Sequence, residues 1–556
     1  MEQFRKEILK VLQKEFPHEK VELLMPPDRS LGDAAFACFS VAKTLKKNPN
    51  QIAEELKAKL KLPSIVKKVE TQGAYLNFFV NKQSLAEDVI RAIKKGKFGS
   101  GAKKKEKIVV EYPAPNTNKP LHLGHVRNIL LGNSLCNLLR FAGYEVIPVD
   151  LVNDRGVHVC KSMLAYKRWG RGKEPDKKPD HFVGDFYVMY SKKESPEMEQ
   201  EIREMLKQWE EGDKELRALW KKMRTWALHG FKETYEAFDV HHDKTYYESD
   251  TYMHGKELIL EGLKKGLFQK DEKGAIVVDL EGLGKKVLLR EDGTGIYITQ
   301  DIYLAKLKFD DFRPDRSVYV VANEQIHHFK VLFKVLDILG FSFSKKCYHL
   351  AYGMVFLPEG KMKSREGIVV DADDLVDEMK KIASDEVRKR YKLKDDEVEK
   401  RSRIIGMGAL KFFVLKFDPQ KDFVYNPEES ISFEGETGPY VQYAHARICS
   451  VLRKHKKKPS NRIKFSLLTS SHEEKIIVML SQFPDVAEDA AEHYRPYVVA
   501  RYLIELAQAF NEFYHECPIL QSEKELMEAR LSLIVATKKV LADGLGLLGI
   551  DAPEEM

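Results

Sequence analysis

One strand–turn–helix–strand unit fixes most of what this chain can fold into. Lys107-Ile108-Val109-Val110-Glu111-Tyr112 is an apolar run of the length that forms a buried strand. Ile129, Leu130, Leu135, Leu138, Leu139 and Ala142 then recur at roughly helical spacing, which predicts a helix from Val126 to Ala142. Gly143 supplies a stop, and Val146-Ile147-Pro148-Val149 returns as a second strand. That order predicts a doubly wound α/β sheet with parallel strands.

The turn between the first strand and the helix reads Pro115-Asn116-Thr117-Asn118-Lys119-Pro120-Leu121-His122-Leu123-Gly124-His125. It places His122 and His125 where a helix leaves the carboxyl end of a strand. Unpaired N–H groups and the positive end of the helix dipole make that place suited to nucleotide phosphates. Gly124 lets a backbone or ligand ring approach closely, and the imidazoles can donate hydrogen bonds to phosphate oxygens. Taken alone, His-x-Gly-His fits two helix-capping histidines equally well.

With 556 residues, 43% hydrophobic and 32% charged, the chain reads as a soluble globular protein of about three to five domains. No apolar stretch approaches the ~20 residues that span a bilayer. The start, Met1-Glu2-Gln3-Phe4-Arg5-Lys6, lacks a signal-peptide core. Six cysteines (38, 136, 160, 347, 449 and 517) show no Cys-x-x-Cys pair, so neither zinc nor a disulfide scaffold is expected, and a reducing cytoplasm is the natural compartment. Net charge is +7, and it clusters: Lys94, Lys95, Lys97, Lys103, Lys104, Lys105 and Lys107 form one run, Arg453 to Lys458 another. Both fit solvated linkers; RNA backbone contact is the sharper alternative.

A second segment, Glu359-Gly360-Lys361-Met362-Lys363-Ser364-Arg365-Glu366-Gly367, offers a basic loop after a strand-like run. Taken with it, Glu111 to Arg127 resembles the first signature of class I aminoacyl-tRNA synthetases, and the spacing of Glu111, Asn116, Lys119, His122 and His125 resembles the arginyl-tRNA synthetase family. The basic loop is similar to the second signature, Lys-Met-Ser-Lys-Ser, but carries Lys363 and Ser364 at its third and fourth positions. Many members of that family lack the second lysine, and a lysine upstream of the first histidine is thought to replace it; Lys119 stands there.

The resemblance runs nearly end to end and implies the domain plan. Residues 1–90 correspond to an added amino-terminal tRNA-binding α/β domain, with helices beginning near the start and at Pro49 and a strand at Ala74–Val80. Residues 91–107 are a basic linker, and 108–375 a Rossmann-type catalytic domain with a mostly helical insertion at about 155–290. Residues 376–435 are a helical connecting and stem-contact region, and 436–556 an all-α anticodon-binding bundle opened by Gly438-Pro439-Tyr440-Val441-Gln442-Tyr443. The carboxyl end resembles the family's too, save Glu555 where a basic residue is common.

The implied activity is ATP-dependent ligation of L-arginine to tRNA-Arg through an adenylate, with Mg2+ on the phosphates, no zinc, activation that needs bound tRNA, and no editing site. The first nucleophile is already a carboxylate, so the site has only to position groups and offer positive charge. The resemblance assigns His122, His125, Lys119 and Lys361 to catalysis. Gly124, Met362 and Lys363 join them around ATP. Tyr297 and Asp301, four apart and so on one helix face, line a slot for the guanidinium, with Glu111 as a second carboxylate. Asn116 and Gln325 hold the amino acid's polar end. Tyr440, Gln442, Tyr443 and Arg447 are candidates for RNA contact or for the core of the bundle. A monomer is expected. Two other readings stay open: another class I synthetase or small nucleotidylyltransferase, and a catalytically silent relative that only binds tRNA.

Overall fold

A computed structural model describes residues 1–26, 28, 31–356, 370–456 and 463–556, and of residues 2 and 3 the backbone alone. The amino-terminal domain runs α1 (Glu2–Glu15), β1 (Ala34–Ala37), α2 (Phe39–Leu45), α3 (Pro49–Lys59), β2 (Val66–Gln72), β3 (Tyr75–Val80) and α4 (Lys82–Lys94). Its three strands are antiparallel in the order β1-β3-β2. Asn48 begins α3 by accepting the Asn50 N–H, with Pro49 at the first helical position. As the middle strand, β3 buries Leu76, Asn77 and Phe78 in succession, where a strand with one wet face would alternate.

The core then follows: β4 (Lys107–Glu111), α5 (Leu123–Phe141), β5 (Glu145–Val152), four helices α6 (Val157–Ala165), α7 (Pro179–Lys193), α8 (Pro196–Glu211) and α9 (Lys214–Phe238), and β6 (Lys244–Tyr247). After α10 (Glu248–Lys264) comes a small antiparallel meander, β7 (Gln269–Lys270), β8 (Ile276–Leu280) and β9 (Gly284–Leu289). The sheet resumes through α11 (Tyr297–Phe312), β10 (Arg316–Ala322), α12 (Ile326–Ile338), β11 (Cys347–Tyr352) and the short β12 (Val355–Phe356).

Five of these strands form one parallel sheet in the order β11-β10-β4-β5-β6. Ile108, Val109 and Val110 of β4 and Val318 and Val320 of β10 are wholly buried, as expected for strands covered on both faces. The chain leaves β4 toward β5 on one side and returns to β10 on the other. The strand order therefore reverses between β4 and β10, and ligands of such sheets bind outside the carboxyl ends of the strands at that point.

One expectation is corrected. The range 155–290 is not a single helical insertion, because β6 within it pairs with β5 as the sheet's edge strand. Lys244-Thr245-Tyr246-Tyr247 is short and polar at one end, so it gave no buried-strand signal; only 157–238 is the helical excursion, with its own aromatic core around Tyr166, Phe182, Phe186 and Trp226.

Beyond the sheet lie α13 (Ala372–Arg390), α14 (Asp395–Leu415), β13 (Phe423–Val424), which pairs with β12, α15 (Pro427–Ser430), and the bundle α16 (Gly438–His455), α17 (Ser471–Glu492), α18 (Pro496–Glu516) and α19 (Lys524–Leu547). The bundle docks on the core: Ser134 on α5 donates to the Leu547 carbonyl, 2.9 Å away. Glu555 takes Arg401 at 2.7 Å and also pairs with Arg453, which explains an acidic residue there.

Candidate active site

The first turn of α5 is closed by its own histidines. His122 begins the helix, and its Nδ1 accepts the Gly124 N–H at 3.1 Å. In return the His122 N–H donates to Nδ1 of His125 at 3.2 Å. Burial, with the Lys119 ammonium adding to it, pushes the His122 pKa down to about 3. His125 is held well below the usual range by burial, then by His122 and Lys119. Both rings are therefore neutral, and since Nδ1 accepts in each, the remaining proton sits on Nε2. The turn thus presents two fixed N–H donors without a charge that could be lost. Lys119, itself lowered by burial, stands beside them.

A cleft of about 300 Å³ opens at this turn, lined by His122, Gly124, His125, Pro113 and Ala114 past β4, and Val321 and Ala322 at the end of β10. It lies at the switch between β4 and β10. Its other wall is Tyr352 to Val355, and that wall is built by Arg127, whose role the sequence did not disclose. Arg127 is buried under Phe423, its guanidinium 4.7 Å from the ring. It donates to the carbonyls of Gly353 (2.6 Å), Met354 (3.2 Å), Pro419 (2.9 Å) and Lys421 (2.7 Å). One side chain on α5 thereby ties β12 and the turn before β13 to the histidine turn.

The histidine turn is also held by backbone: the Leu123 N–H donates to the Val370 carbonyl (3.0 Å) and the Ala372 N–H to the Leu121 carbonyl (2.9 Å). Lys361, Met362 and Lys363 lie outside the described residues.

An acidic slot forms at the same carboxyl edge of the sheet. Tyr297 and Asp301 lie one turn apart on α11; Tyr297 is 69% exposed and Asp301 half-buried. Asp301 accepts from Nε2 of His328 at 2.6 Å. Burial works to lower the pKa of His328, but that hydrogen bond and charge win and raise it. Glu248 at the start of α10, which no sequence motif marked, is the second carboxylate here. Burial pushes its pKa up to about 7; Arg155 opposes this, whereas Asp154 and Asp301 add to it. Its position follows from Asp154 at the end of β5, which accepts the Ser249 N–H (2.9 Å) and hydroxyl (2.8 Å) and so fixes the start of α10. Arg155, stacked on Tyr252 and paired with Glu210, holds a guanidinium nitrogen 3.5 Å from Glu248. The register of β6 beside β5, with Tyr247 opposite Val152, brings Glu248 to the same place.

Glu111, at the end of β4, is buried with Lys308, whose Nζ lies 2.6 Å from its carboxylate and 3.7 Å from the centre of the Tyr319 ring. Lys308 thus faces Glu111 as His328 faces Asp301 and Arg155 faces Glu248. Asn116 is half-buried in a bridge to Asn153, and Gln325 is exposed at the end of the turn after β10.

In the carboxyl-terminal bundle, Gln442 falls to the core, the second of its two alternatives. It is fully buried and donates to the carbonyls of Ile404 (3.3 Å) and Asp551 (2.9 Å), so it joins helices and cannot meet RNA. Tyr440, Tyr443 and Arg447 are half-buried; Arg447 stacks on Tyr443 at 4.6 Å and shares Asn511 with Tyr440.

Comparison with known proteins gives the family. Residues 89–427 match the family model of the class I (R) tRNA synthetase catalytic domain, 441–556 the DALR anticodon binding domain, and 2–80 the arginyl tRNA synthetase N-terminal domain. Curated relatives include an arginine–tRNA ligase of Treponema denticola, 45% identical over 97% of this chain and 95% of its own, and one of Bacteroides thetaiotaomicron, 44% identical over 98% and 96%. The solved arginyl-tRNA synthetase of Thermus thermophilus superposes over the whole of both chains, with a TM-score of 0.85 at 29% identity. A neutral histidine turn at the switch of a parallel sheet, an acidic slot at the same edge and a matching family model along the catalytic domain lead to one conclusion: the chain belongs to the arginine–tRNA ligases, class I aminoacyl-tRNA synthetases.

Proposed function

We propose that the chain activates L-arginine with MgATP and passes the arginyl group to the 3′-terminal ribose of tRNA-Arg. The arginine carboxylate attacks the α-phosphorus, the bond to the β-phosphate breaks, and pyrophosphate leaves. The ribose hydroxyl then attacks the carbonyl carbon of arginyl-adenylate and AMP leaves. The observation that carries this reading is the slot of Asp301, Glu248 and Tyr297 at the same sheet edge as the histidine turn. Two carboxylates match a guanidinium fork, and an exposed ring can pack on its plane.

In this reading the Nε2–H groups of His122 and His125 donate to phosphate oxygens, and Lys119, Lys361 and Lys363 supply charge, with Gly124 and Met362 beside the nucleotide. Such donors act on charge that grows in the transition state, and loss of one should cost roughly 2.7–4 kcal/mol, or about 10²–10³ in rate. Asn116 and Gln325 take the amino acid's polar end. A site that pairs both carboxylates with the guanidinium rejects neutral analogues strongly, so the reading includes no editing step. Activation depends on bound tRNA, whose anticodon side meets the bundle near Tyr440, Tyr443 and Arg447. The enzyme acts as a cytoplasmic monomer.

ATP–pyrophosphate exchange with each amino acid, with and without tRNA, tests the whole proposal. Exchange specific to arginine and dependent on tRNA is expected, and His125→Ala or Asp301→Ala should abolish it in a folded protein. Exchange with another amino acid would point to a different class I enzyme. Tight tRNA binding without any exchange would point to a silent relative.

A further inference from the structure

The helical excursion grips the chain beside the histidine turn through charged groups that the chemistry does not require. Lys178, just before α7, places its ammonium 2.5 Å from Asp373, 2.5 Å from the Thr234 hydroxyl on α9 and 3.5 Å from Asp180. His181, in the first turn of α7, directs Nε2 at Asp373 (2.8 Å) and Asp371 (3.4 Å). Asp371 in turn caps α13 by accepting the Asp373 N–H at 2.9 Å. These aspartates flank Ala372, which hydrogen-bonds to Leu121 immediately before His122.

The fit is close on both sides. A side chain at Gly184 on α7 would strike Pro120, its Cβ 2.6 Å from Cδ, and one at Gly230 on α9 would overlap the Asp180 carboxylate. The excursion therefore packs directly on the Lys119-Pro120 turn, and Gly230 leaves room for the buried Asp180. Asp180, His181 and Asp373 have donor atoms within 4.8 Å of one another, a spacing that could suit a divalent ion. The Lys178 ammonium already stands between those carboxylates, 2.5 Å from Asp373 and 3.5 Å from Asp180. His181 adds a second cation, since its hydrogen bonds to Asp371 and Asp373 raise its pKa to about 10. The groups facing it are Asp180, Asp371, Asp373 and Lys178.

We propose that Lys178 and His181 are positioning residues: by holding Asp371 and Asp373 they fix the 370–372 segment against Leu121–Leu123 and so set the place of the His122/His125 turn. This rests on the reading of that turn as the site of the ATP phosphates. The arginine slot lies on other elements, α10 and α11. The clamp therefore acts on ATP and not on arginine.

Two measurements on the full-length protein test it. In His181→Gln and Lys178→Met, amide hydrogen exchange at Leu123 and Ala372 should quicken at least tenfold while the amides of β4 stay protected. The KM for ATP, measured with tRNA present, should rise about five- to tenfold, with the arginine KM within twofold of wild type. Lys178→Arg should restore most of both readouts. Unchanged protection at Leu123 and Ala372 overturns the clamp whatever the kinetics, as does an arginine KM that rises in step with that for ATP. Zinc retained at one equivalent by the wild type and lost in Asp373→Asn would overturn it as well. Failure of the wild type itself to exchange with arginine strikes the proposed function instead, and hydrogen exchange at Leu123 and Ala372 then decides for or against the clamp by itself.

Discussion

At the scale of single residues, the site stores its negative charge against internal cations. Asp301 faces His328, Glu248 faces Arg155, and Glu111 faces Lys308. Among these, Glu248 has a pKa pushed up to about 7 by burial, so it is only partly ionised at neutral pH. A bound guanidinium favours the carboxylate and must lower that value. Arginine binding should then release a proton near neutrality, and the arginine KM should rise as pH falls below about 7, by up to tenfold per unit. Calorimetry in buffers of differing ionisation enthalpy reads the proton directly; Glu248→Gln should weaken arginine binding and flatten the pH dependence. A wild-type KM that stays level from pH 8 to pH 6 would refute the assignment. That Tyr297 and Asp301 share a face of α11 was legible in the sequence, because i, i+4 spacing is a local property of a helix. Glu248 was not, since its place is set by a neighbouring strand, nor was the Lys308 that neutralises Glu111, 197 positions away in the chain.

Among elements, α5 does more than present histidines. Arg127, on its second turn, serves carbonyls from two separate segments and holds the far wall of the cleft. Arg127→Met would leave the buried carbonyl of Gly353 without its donor, at about 1–3 kcal/mol, while that of Pro419 keeps the Gly353 N–H at 2.8 Å. Lysine cannot restore the pattern, because an ammonium lacks the planar fork that reaches several carbonyls at once. Both variants should unfold several degrees earlier and lose ATP affinity, while an equally buried change elsewhere on the helix, Leu131→Val, should cost stability alone. Equal ATP affinity in the Arg127 and Leu131 variants would reduce Arg127 to a packing residue. The strand–helix–strand at 107–152 was readable because apolar period and the Gly143 stop agreed. The edge strand β6 was missed because an edge needs few apolar residues, and four residues carry little pattern.

Across the whole molecule, the helical excursion 157–238 touches both halves of the site by separate routes. Through α7 it reaches the phosphate side, by Lys178 and His181; through α8 it reaches the arginine side, by Glu210 on Arg155. These routes join residues with no sequence relation, so nothing in the sequence marked them. The second route has a definite sign. Glu210 draws Arg155 away from Glu248, which it approaches only to 3.5 Å. Without that pull, Arg155 should settle on Glu248 and compete with the substrate's own guanidinium. Glu210→Gln is therefore expected to raise the arginine KM several-fold and leave the ATP KM alone, the mirror image of His181→Gln. The two networks share no residue, and contributions from sites without shared partners add. The double variant should then show both effects, their free energies summing within about 0.5 kcal/mol. A double variant well outside that sum would mean that α7 and α8 move as one body, and that arginine and ATP sense each other through the excursion rather than separately.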